Sequence, residues 1–330
     1  MEHRRNNTFE EIWGALMEAQ RIVIPLHRSP DPDSYCSAVA AALILTENGK
    51  DVTIVSVDKL PDLPSIRNLF PVVVKDPADM DLSEFDLFLA QDIASEDRYS
   101  KNDQFEIPAN LVVVNIDHHT TNTYFGTFNY VDEGAISTAE ILTLMYIHVG
   151  VSISEEIAHV LFMGLASDSG WFTFNPRPQV YDVAKYLVEA GADTRKIKTE
   201  LDSNTLINVV LTGVSHSRAT YDKKNKYVYS YLSHEDYKEH SVTADQIYSG
   251  VQEYKYISDV EIDFSWVAQE KDSGTWTLSL RAKEAHPYDV SKIAVALGGG
   301  GHTAAAGCSV KASSIDEVKK ILDNVLQNIN

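Results

Sequence analysis

The chain has 330 residues, which is enough for two domains of ordinary size. A hydrophobic fraction of 44% is typical of a globular protein with a buried core. The 28 Lys and Arg residues and 48 Asp and Glu residues give a net charge of −20. This charge argues against a protein that coats duplex DNA or an anionic membrane, because phosphate binding depends on Lys and Arg. It still allows a small anionic ligand at a local site.

Cysteine content and hydropathy predict a cytoplasmic protein with no membrane partner. Cys36 and Cys308 are far apart, which fits a reducing compartment better than a disulfide framework. The basic residues near the N-terminus are not followed by an apolar stretch of the signal-peptide type. No window approaches the roughly 18 uninterrupted apolar residues of a membrane-spanning helix.

Helices and short apolar strands alternate in the first part of the chain. In order, we predict a helix over Phe9–Gln20, a strand over Arg21–Leu26, a helix over Ser34–Glu47, strands over Asp51–Val57, Phe85–Ala90 and Leu111–Ile116, and helices over Ser137–His148, Glu155–Ser167 and Gln179–Ala190. Apolar strands that alternate with helices predict a parallel sheet covered on both faces. Ligands of such sheets bind at the carboxyl ends of the strands.

The pattern changes after about residue 194. The later elements are a helical connector over residues 195–220, strands over Lys226–Leu232, Val260–Gln269, Thr275–Ala282 and Gly307–Lys311, and helices over Val290–Leu297 and Ser314–Gln327. We therefore predict an α/β protein with a parallel-sheet domain over residues 1–194. The connector leads to a smaller α+β domain over residues 221–330.

Acidic and histidine residues cluster where predicted strands and helices end. They are His27, Asp31 and Asp33 in the segment HRSPDPD, Asp92 after the third strand, Asp117, His118 and His119 after the fourth, and Asp168 where a helix breaks at a glycine. Two prolines predict that HRSPDPD is a rigid loop rather than a helix. Taken singly, such an aspartate is usually a turn or cap residue, and a lone histidine is usually a surface residue. Their shared position at one sheet edge favours a single site.

Carboxylates and imidazoles without thiolates are donors that suit Mn²⁺ or Mg²⁺ and disfavour a structural zinc site. There are more ligands than one ion needs, so we expect two divalent ions, about 3.5–4 Å apart with one carboxylate between them. A water between two such ions loses a proton near neutral pH and becomes a nucleophilic hydroxide.

The four segments resemble, in the right order, the motifs of the DHH phosphoesterase superfamily. The segments SLRA, DVSKIA and GGGGHTAAAG resemble its DHH-associated domain. The match spans residues 20 to 312 and is most similar to the nanoRNase/pAp-phosphatase subgroup, which is related to exopolyphosphatases and joins these two domains alone. Pro32 stands where the family has glycine, which should stiffen that loop.

The resemblance implies a role for each residue. His27 and Asp31 would bind one Mn²⁺, and Asp33, His118 and Asp168 the other. Asp92 would bridge the two ions. His119 would face the substrate phosphate and stabilise charge or donate a proton to the leaving oxygen, while Asp117 would orient a histidine. The active site would lie in a cleft between the two domains.

The resemblance also implies that the second domain binds a nucleotide. The best candidates are Arg281, Gly300, Gly301 and His302. A guanidinium can hold a phosphate with two hydrogen bonds, and a glycine run can form an anion nest or simply stop a helix. Ser291 and Lys292 are further candidates, for which helix capping and an exposed lysine are the alternatives.

The function that the resemblance implies is a two-metal phosphoesterase. It would hydrolyse very short oligoribonucleotides (nanoRNA) to mononucleotides, 3′-phosphoadenosine 5′-phosphate (pAp) to AMP, or both, by attack of the activated hydroxide on phosphorus. One alternative is an exopolyphosphatase or inorganic pyrophosphatase, and another is a nucleotide-binding module without catalysis. The expected partners are short single-stranded oligoribonucleotides or nucleotide bisphosphates and no long duplex. A homodimer is one possible assembly.

Overall fold

The computed structural model describes residues 6–174, 176–248, 250–272, 274–283 and 288–329, apart from the side chains of Asp245 and His302. The chain divides into two compact units, Met1–Ser203 and Asn204–Asn330. The domain boundaries predicted at residues 194 and 220 stay predictions. Within the described ranges, no helix combines the length and the apolar character needed to cross a bilayer.

The first unit is built on a six-stranded sheet whose neighbouring strands are all parallel. Its strands are β1 (Arg21–Pro25), β2 (Asp51–Ser56), β3 (Val72–Val74), β4 (Leu87–Gln91), β5 (Val112–Asp117) and β6 (Phe128–Val131), in the order β3-β2-β1-β4-β5-β6. Its helices are α1 (Phe9–Glu18), α2 (Pro32–Glu47), α3 (Thr138–His148), α4 (Glu155–Asp168), α5 (Gln179–Glu189) and α6 (Thr194–Leu201). The predicted parallel sheet is confirmed. The short strands β3 and β6, which lie at its edges, were not predicted.

Both faces of the sheet are covered, as the apolar strands predicted. Along β4, Leu87 and Leu89 belong to the core that includes α2 and α4. Phe88 and Ala90 point to the opposite face, where they pack in a second cluster with Tyr99. The central strand β4 is therefore apolar on both faces, and the acidic and histidine residues of interest lie at strand ends.

Helix α2 begins earlier than the sequence predicted. Asp31 is its N-cap, and the carboxylate of Asp31 accepts a hydrogen bond from the Ser34 backbone N–H at 2.9 Å. Pro32 takes the first helical position, where a missing N–H costs nothing. The prediction of a loop through Asp33 is therefore wrong, because a proline at that position starts a helix rather than preventing one. Asp33 is fixed on the first turn of α2.

The second unit contains a mixed six-stranded sheet with helices, which confirms the predicted α+β class. Its elements are α7 (Leu206–Ser217), β7 (Thr220–Asp222), β8 (Tyr227–Leu232), α8 (His234–Glu239), β9 (Phe264–Asp272), β10 (Thr275–Ala282), α9 (Val290–Ala296), β11 (Gly300–His302), β12 (Ala305–Lys311) and α10 (Ile315–Ile329). The strand order is β11-β12-β10-β9-β8-β7, and only β8 and β9 pair in parallel. The stretch predicted as a helical connector contains two helices, α6 and α7, because the Thr205 hydroxyl caps a new helix by accepting from Asn208 N–H.

Candidate metal centre

Three adjacent strands of the first unit deliver polar side chains to one edge of its sheet. His27 follows β1, Asp92 directly follows β4, and Asp117 is the last residue of β5. Two helix ends complete the cluster, with Asp33 at the start of α2 and Asp168 at the end of α4. The carboxyl ends of parallel strands share one edge, which explains why segments far apart in sequence meet here.

The ligand atoms form three overlapping groups in which all members lie within 4.8 Å of one another. The groups are His27, Asp31 and Asp92; Asp33, His118 and Asp168; and Asp92, Asp117, His118 and His119. Every residue predicted at this site is therefore brought into one cluster. The assignment of particular residues to particular ions stays a prediction.

Asp92 lies between the first two groups, with one carboxylate oxygen toward each. Its Oδ2 lies 3.4 Å from Nε2 of His27, and its Oδ1 lies 3.3 Å from Nε2 of His118. On the outer sides, His27 Nε2 lies 3.5 Å from Oδ2 of Asp31, and His118 Nε2 lies 3.5 Å from Oδ2 of Asp168. This is the arrangement expected of a carboxylate shared by two sites.

The backbone of Asp92 adopts the left-handed conformation, with a φ of 59°. Non-glycine residues rarely adopt this conformation, although Asp and Asn tolerate it best. The Asp92 N–H donates to the carbonyl of Ile116 at 3.0 Å, which ties this strained residue to β5. The turn aims the side chain away from the sheet and into the cluster. Strain of this kind is often found at functional sites.

Crowded carboxylates dominate the electrostatics of the cluster. Burial, together with the charge of Asp92, raises the pKa of Asp33 to about 8. Burial and the charge of Asp33 likewise raise the pKa of Asp168 well above its ordinary value. Burial also acts to raise the pKa of Asp92, but contacts with His118 and His27 outweigh it and hold that pKa far below the usual range.

The two neighbouring histidines respond in the opposite sense. Burial lowers the pKa of His27, but Asp31 and Asp92 raise it to about 10. Burial also lowers the pKa of His118, which Asp92, Asp33 and Asp168 raise to about 10. Without cations, the cluster must hold protons to balance its own negative charge. A site that concentrates carboxylates in this way suits divalent cations.

The donor atoms fit hard divalent ions. In the described part of the chain, the buried Nε2 of His118 has no hydrogen-bond partner of ordinary geometry, although carboxylate oxygens surround it. A buried nitrogen that faces carboxylates without a hydrogen bond to any of them fits the role of a metal ligand. Carboxylate oxygen and imidazole nitrogen suit Mn²⁺, and Mg²⁺ prefers the oxygens.

His119 is oriented by a buried polar network. Its Nδ1 lies 2.7 Å from Oδ1 of Asp117, and Oδ2 of Asp117 accepts from the Asn122 amide at 2.6 Å. The same amide donates to Oδ1 of Asn115 at 2.9 Å. Asp117, Asn115 and Asn122 are buried, whereas 41% of the His119 side chain is exposed. The hydrogen bond that Nδ1 donates to Asp117 outweighs burial and raises the pKa of His119, so this ring holds a proton readily.

In the second unit, Arg281 is a guanidinium without an acidic partner among the described residues. It lies on β10, where its Nη1 donates to the Leu280 carbonyl at 2.8 Å. Its Nε is buried and has no hydrogen-bond partner in the described ranges. Burial lowers the pKa of Arg281, which reflects the cost of a cation held out of water. A partly buried guanidinium whose Nε has no hydrogen-bond partner in the described ranges fits an anionic ligand.

The glycine run serves two structural purposes. Gly298, with a φ of 77°, ends α9 and is the helix stop that was one of the two alternatives. Gly300 and Gly301 belong to β11, the edge strand next to β12. A Cβ on Gly301 would lie 2.5 Å from Cα of Ala306, whereas a Cβ on Gly300 would meet nothing within 4 Å. An anion nest at Gly300 and Gly301 stays a prediction.

Three further candidates lie in the same region. The backbone N–H and the Oγ of Ser291 both donate to Oδ1 of Asp289, the N-cap of α9. Lys292 is exposed. These positions favour the alternatives of helix capping for Ser291 and an exposed lysine for Lys292. The side chain of His302 lies outside the described residues, so its predicted role stays a prediction.

Two family models match the chain in the predicted order. The model described as the DHH family, N-terminal domain, matches residues 21–165, and the model of the DHHA1 domain matches residues 224–328. The chain contains a DHH domain followed by a DHHA1 domain. The candidate metal centre is therefore built by the DHH domain and the α4 residues that follow it, and Arg281 and the glycine run lie in the DHHA1 domain.

Two curated relatives align with this chain along nearly their whole lengths. The bifunctional oligoribonuclease and PAP phosphatase NrnA of Thermus thermophilus is 27% identical over 312 residues, which cover 93% of this chain and 90% of that protein. The probable bifunctional oligoribonuclease and PAP phosphatase NrnA of Streptococcus mutans is 25% identical over 322 residues, which cover 97% of this chain and 99% of that protein. An exopolyphosphatase-related protein from Bacteroides fragilis has the same fold, with a TM-score of 0.86 and 22% identity over 97% of this chain and 95% of that chain.

Gly164 on α4 makes room for Asp33, a contact that the sequence did not reveal. A Cβ at this position would lie 2.8 Å from Oδ1 of Asp33, 3.1 Å from Cβ of Ala139 and 3.3 Å from Cβ of Cys36. Asp33 cannot move away easily, because Oδ2 and Oδ1 accept from the backbone N–H groups of Thr138 and Ala139 at 2.7 and 3.1 Å. The close approach of α4 to α2 therefore depends on this glycine.

We expect Gly164→Ala to lower the free energy of unfolding by about 1–3 kcal/mol, because it overpacks the buried contact with Asp33. Gly14→Ala on α1 is the matched control. A Cβ there would meet nothing within 4 Å, so the change should raise the free energy of unfolding by about 0.5–1 kcal/mol through helix propensity. Urea denaturation of the two variants measures both effects. If both variants changed the free energy of unfolding by the same amount, the specific role of Gly164 would be contradicted.

Proposed function

We propose that this DHH protein is a metal-dependent phosphoesterase that hydrolyses very short oligoribonucleotides to mononucleotides and pAp to AMP. The observation that carries the proposal is the position of Asp92, with its two oxygens facing two groups of carboxylate and imidazole ligands. The two relatives named as oligoribonucleases and PAP phosphatases support the choice of substrates, because their alignment with this chain includes both of its domains.

The proposed cofactors are two divalent ions, with Mn²⁺ preferred over Mg²⁺. The residues that would hold them are His27 and Asp31 on one side, Asp33, His118 and Asp168 on the other, and Asp92 between them. When bound, such ions supply a hydroxide nucleophile at neutral pH and stabilise the charge that develops on phosphorus. The protein contributes ligands fixed on strand ends and helix ends, so little reorganisation is needed before the reaction.

His119 is the proposed group that faces the substrate. Its Nδ1 is directed to Asp117, which leaves Nε2 as the ring nitrogen that can hold a proton at the leaving oxygen. Asn122 fixes Asp117 in turn, so the ring orientation is set by a buried network rather than by the substrate. The raised pKa of His119 keeps the donor form available near neutral pH.

Arg281 is the proposed phosphate-binding residue of the DHHA1 domain. Its buried Nε has no protein partner in the described ranges, so an anionic ligand would satisfy it. Gly300 and Gly301 add an edge strand whose backbone a ligand can approach closely, because Gly300 has no side chain in the way. We propose that His302 belongs to the same phosphate-binding region.

We expect Arg281→Met to raise KM for pAp by about 10–100-fold, the value of one or two lost charge-assisted hydrogen bonds. The melting temperature should fall little, because the variant removes a partly buried cation that has no acidic partner among the described residues and whose Nε is unsatisfied. Arg218→Met is the matched control, since Nη1 and Nη2 of Arg218 bind Asp236 at 2.6 and 2.8 Å. It should lower the melting temperature and leave KM unchanged. The reverse pattern would refute the assignment of Arg281.

One substrate panel tests the proposed function. The purified protein with Mn²⁺ is offered pAp, a 5′-phosphorylated dinucleotide, a single-stranded 24-mer and pyrophosphate, and product release is measured for each. We expect turnover of pAp and the dinucleotide and little turnover of the other two substrates. Hydrolysis of pyrophosphate that is faster than hydrolysis of pAp and the dinucleotide would favour the exopolyphosphatase or pyrophosphatase alternative. Tight nucleotide binding without hydrolysis of any substrate would favour a binding module.

A further inference from the structure

Thr138, the first residue of α3, contacts two of the candidate ligand carboxylates at once. Its Oγ1 donates to Oδ1 of Asp92 at 3.2 Å, and its backbone N–H donates to Oδ2 of Asp33 at 2.7 Å. The residue is fully buried, so neither hydrogen bond is shared with solvent. Asp92 and Asp33 belong to different ligand groups, and Thr138 is therefore a physical link between the two.

The hydroxyl of Thr138 is not needed to cap its own helix. The N-cap of α3 is Ser137, whose side chain accepts from the Glu140 backbone N–H at 3.0 Å. A buried threonine within a helix commonly bonds to a carbonyl of the preceding turn. Thr143 on the same helix does so, because its Oγ1 donates to the Ala139 carbonyl at 2.8 Å. The Thr138 hydroxyl instead leaves its helix to reach Asp92.

The carboxylate of Asp92 needs an external partner to fix its rotation. The terminal torsion of an aspartate is broad, so the backbone alone does not set the plane of the carboxylate. Rotation would remove Oδ2 from Nε2 of His27 at 3.4 Å and Oδ1 from Nε2 of His118 at 3.3 Å. A carboxylate oxygen has two lone pairs, so a hydrogen bond from Thr138 leaves Oδ1 able to bind an ion.

We propose that Thr138 is a positioning residue that fixes the Asp92 carboxylate with one oxygen toward each ligand group. This inference rests on the metal-binding role assigned to Asp92 under the proposed function. Partners that hold a metal ligand from outside the coordination shell typically contribute about 10–100-fold to metal affinity or activity. Thr138 acts through Asp92 and Asp33 and has no role of its own in the reaction.

The test compares Thr138→Val, Thr138→Ser and Thr143→Val by calorimetric titration of the metal-free protein with Mn²⁺. Thr138→Val should weaken Mn²⁺ binding by about 10–100-fold, whereas Thr138→Ser should restore affinity to within a few-fold because it keeps the hydroxyl. Thr143→Val removes an equally buried hydroxyl from the same helix and should bind Mn²⁺ as the unaltered protein does. Circular dichroism establishes that each variant is folded, and Thr138→Ala replaces Thr138→Val if valine does not fit.

The outcomes separate this inference from the proposed function. Unaltered Mn²⁺ affinity in the folded Thr138→Val or Thr138→Ala variant overturns the role of Thr138. A serine variant as weak as the valine variant, or a Thr143→Val variant equally weakened, also overturns it, since packing rather than the hydroxyl would then be responsible. If the unaltered protein binds no Mn²⁺ and hydrolyses no substrate of the panel, the proposed function fails, and the inference fails with it.

Discussion

Asp92→Asn is expected to reduce Mn²⁺-dependent hydrolysis of pAp by about 10³-fold or more. Loss of a residue that only hydrogen-bonds to a metal ligand already reduces metal affinity or activity by about 10–100-fold, and Asp92 is itself a proposed ligand. Asp92 is the residue whose oxygens face both ligand groups, at 3.4 Å from His27 and 3.3 Å from His118. An amide keeps the size of the side chain but loses the negative charge and one oxygen. Both candidate metal positions should therefore weaken together.

Asparagine is the proper replacement because of the backbone at this position. With a φ of 59°, Asp92 adopts a conformation that Asn tolerates and Ala does not. Asp92→Ala would add backbone strain to the loss of the ligand, and a fall in its activity could not be assigned to the metal site. Asp81→Asn is the matched control, because Asp81 is exposed and only caps a short turn at Ser83. If Asp92→Asn kept more than a tenth of the activity, Asp92 would not be a shared ligand.

His119→Asn is expected to lower kcat for pAp by about 10²–10⁴-fold, the usual contribution of a positioned proton donor. The imidazole is held through Nδ1 by Asp117 and leaves Nε2 for the substrate. The effect should fall on kcat more than on KM, because the proton is needed as the leaving oxygen departs. Mn²⁺ affinity should change little, since the proposed role of His119 is at the substrate and not at the ions.

Two comparisons sharpen this prediction. His148→Asn is the control, because His148 is an exposed histidine that contacts only Glu10 among the polar partners described. Asp117→Asn should lower kcat less than His119→Asn does, because it leaves the imidazole present but poorly oriented. A His119→Asn variant with kcat within threefold of the unaltered protein would exclude the proton-donor role. A parallel loss of Mn²⁺ affinity would instead make His119 a metal ligand.

The parts of the site that could be predicted from sequence are those carried by strands. Apolar runs before His27, Asp92 and Asp117 predicted β1, β4 and β5, and parallel strands necessarily bring their carboxyl ends to one edge. The prediction that these residues form one cluster followed from that rule. It also followed from the resemblance of the four segments, in the right order, to the motifs of a known family. The boundary of α2 was missed because Pro32 was interpreted as a helix breaker, whereas a proline in the first turn is compatible with a helix.

Residues that act through contacts distant in sequence are harder to predict from the sequence. Thr138 reaches Asp92 across 46 residues, and Gly164 approaches Asp33 from another helix. No local pattern encodes such pairs, because they arise only when the helices pack. Asn115 is different, since an amide inside the apolar run LVVVNI implies a buried hydrogen-bonding partner. That signal could have indicated the network that ends at His119.

The glycine run illustrates how tertiary pairing decides between local alternatives. Four consecutive glycines permit a helix stop, a nest or a strand, and none of these is favoured by composition. Gly298 ends α9, but Gly300 and Gly301 pair with Gly307 and Ala306 of β12. The close approach of β11 to β12 at Gly301 requires a residue without a side chain.

The number of Mn²⁺ ions bound by the metal-free protein tests the central claim most directly. Equilibrium dialysis followed by elemental analysis counts the ions per chain, in the unaltered protein and in Asp92→Asn. The two ligand groups that lie on either side of Asp92 predict two ions per chain in the unaltered protein and a clear loss of bound metal in the variant. A single ion per chain, or two ions bound equally well by both proteins, would contradict a metal centre organised around Asp92.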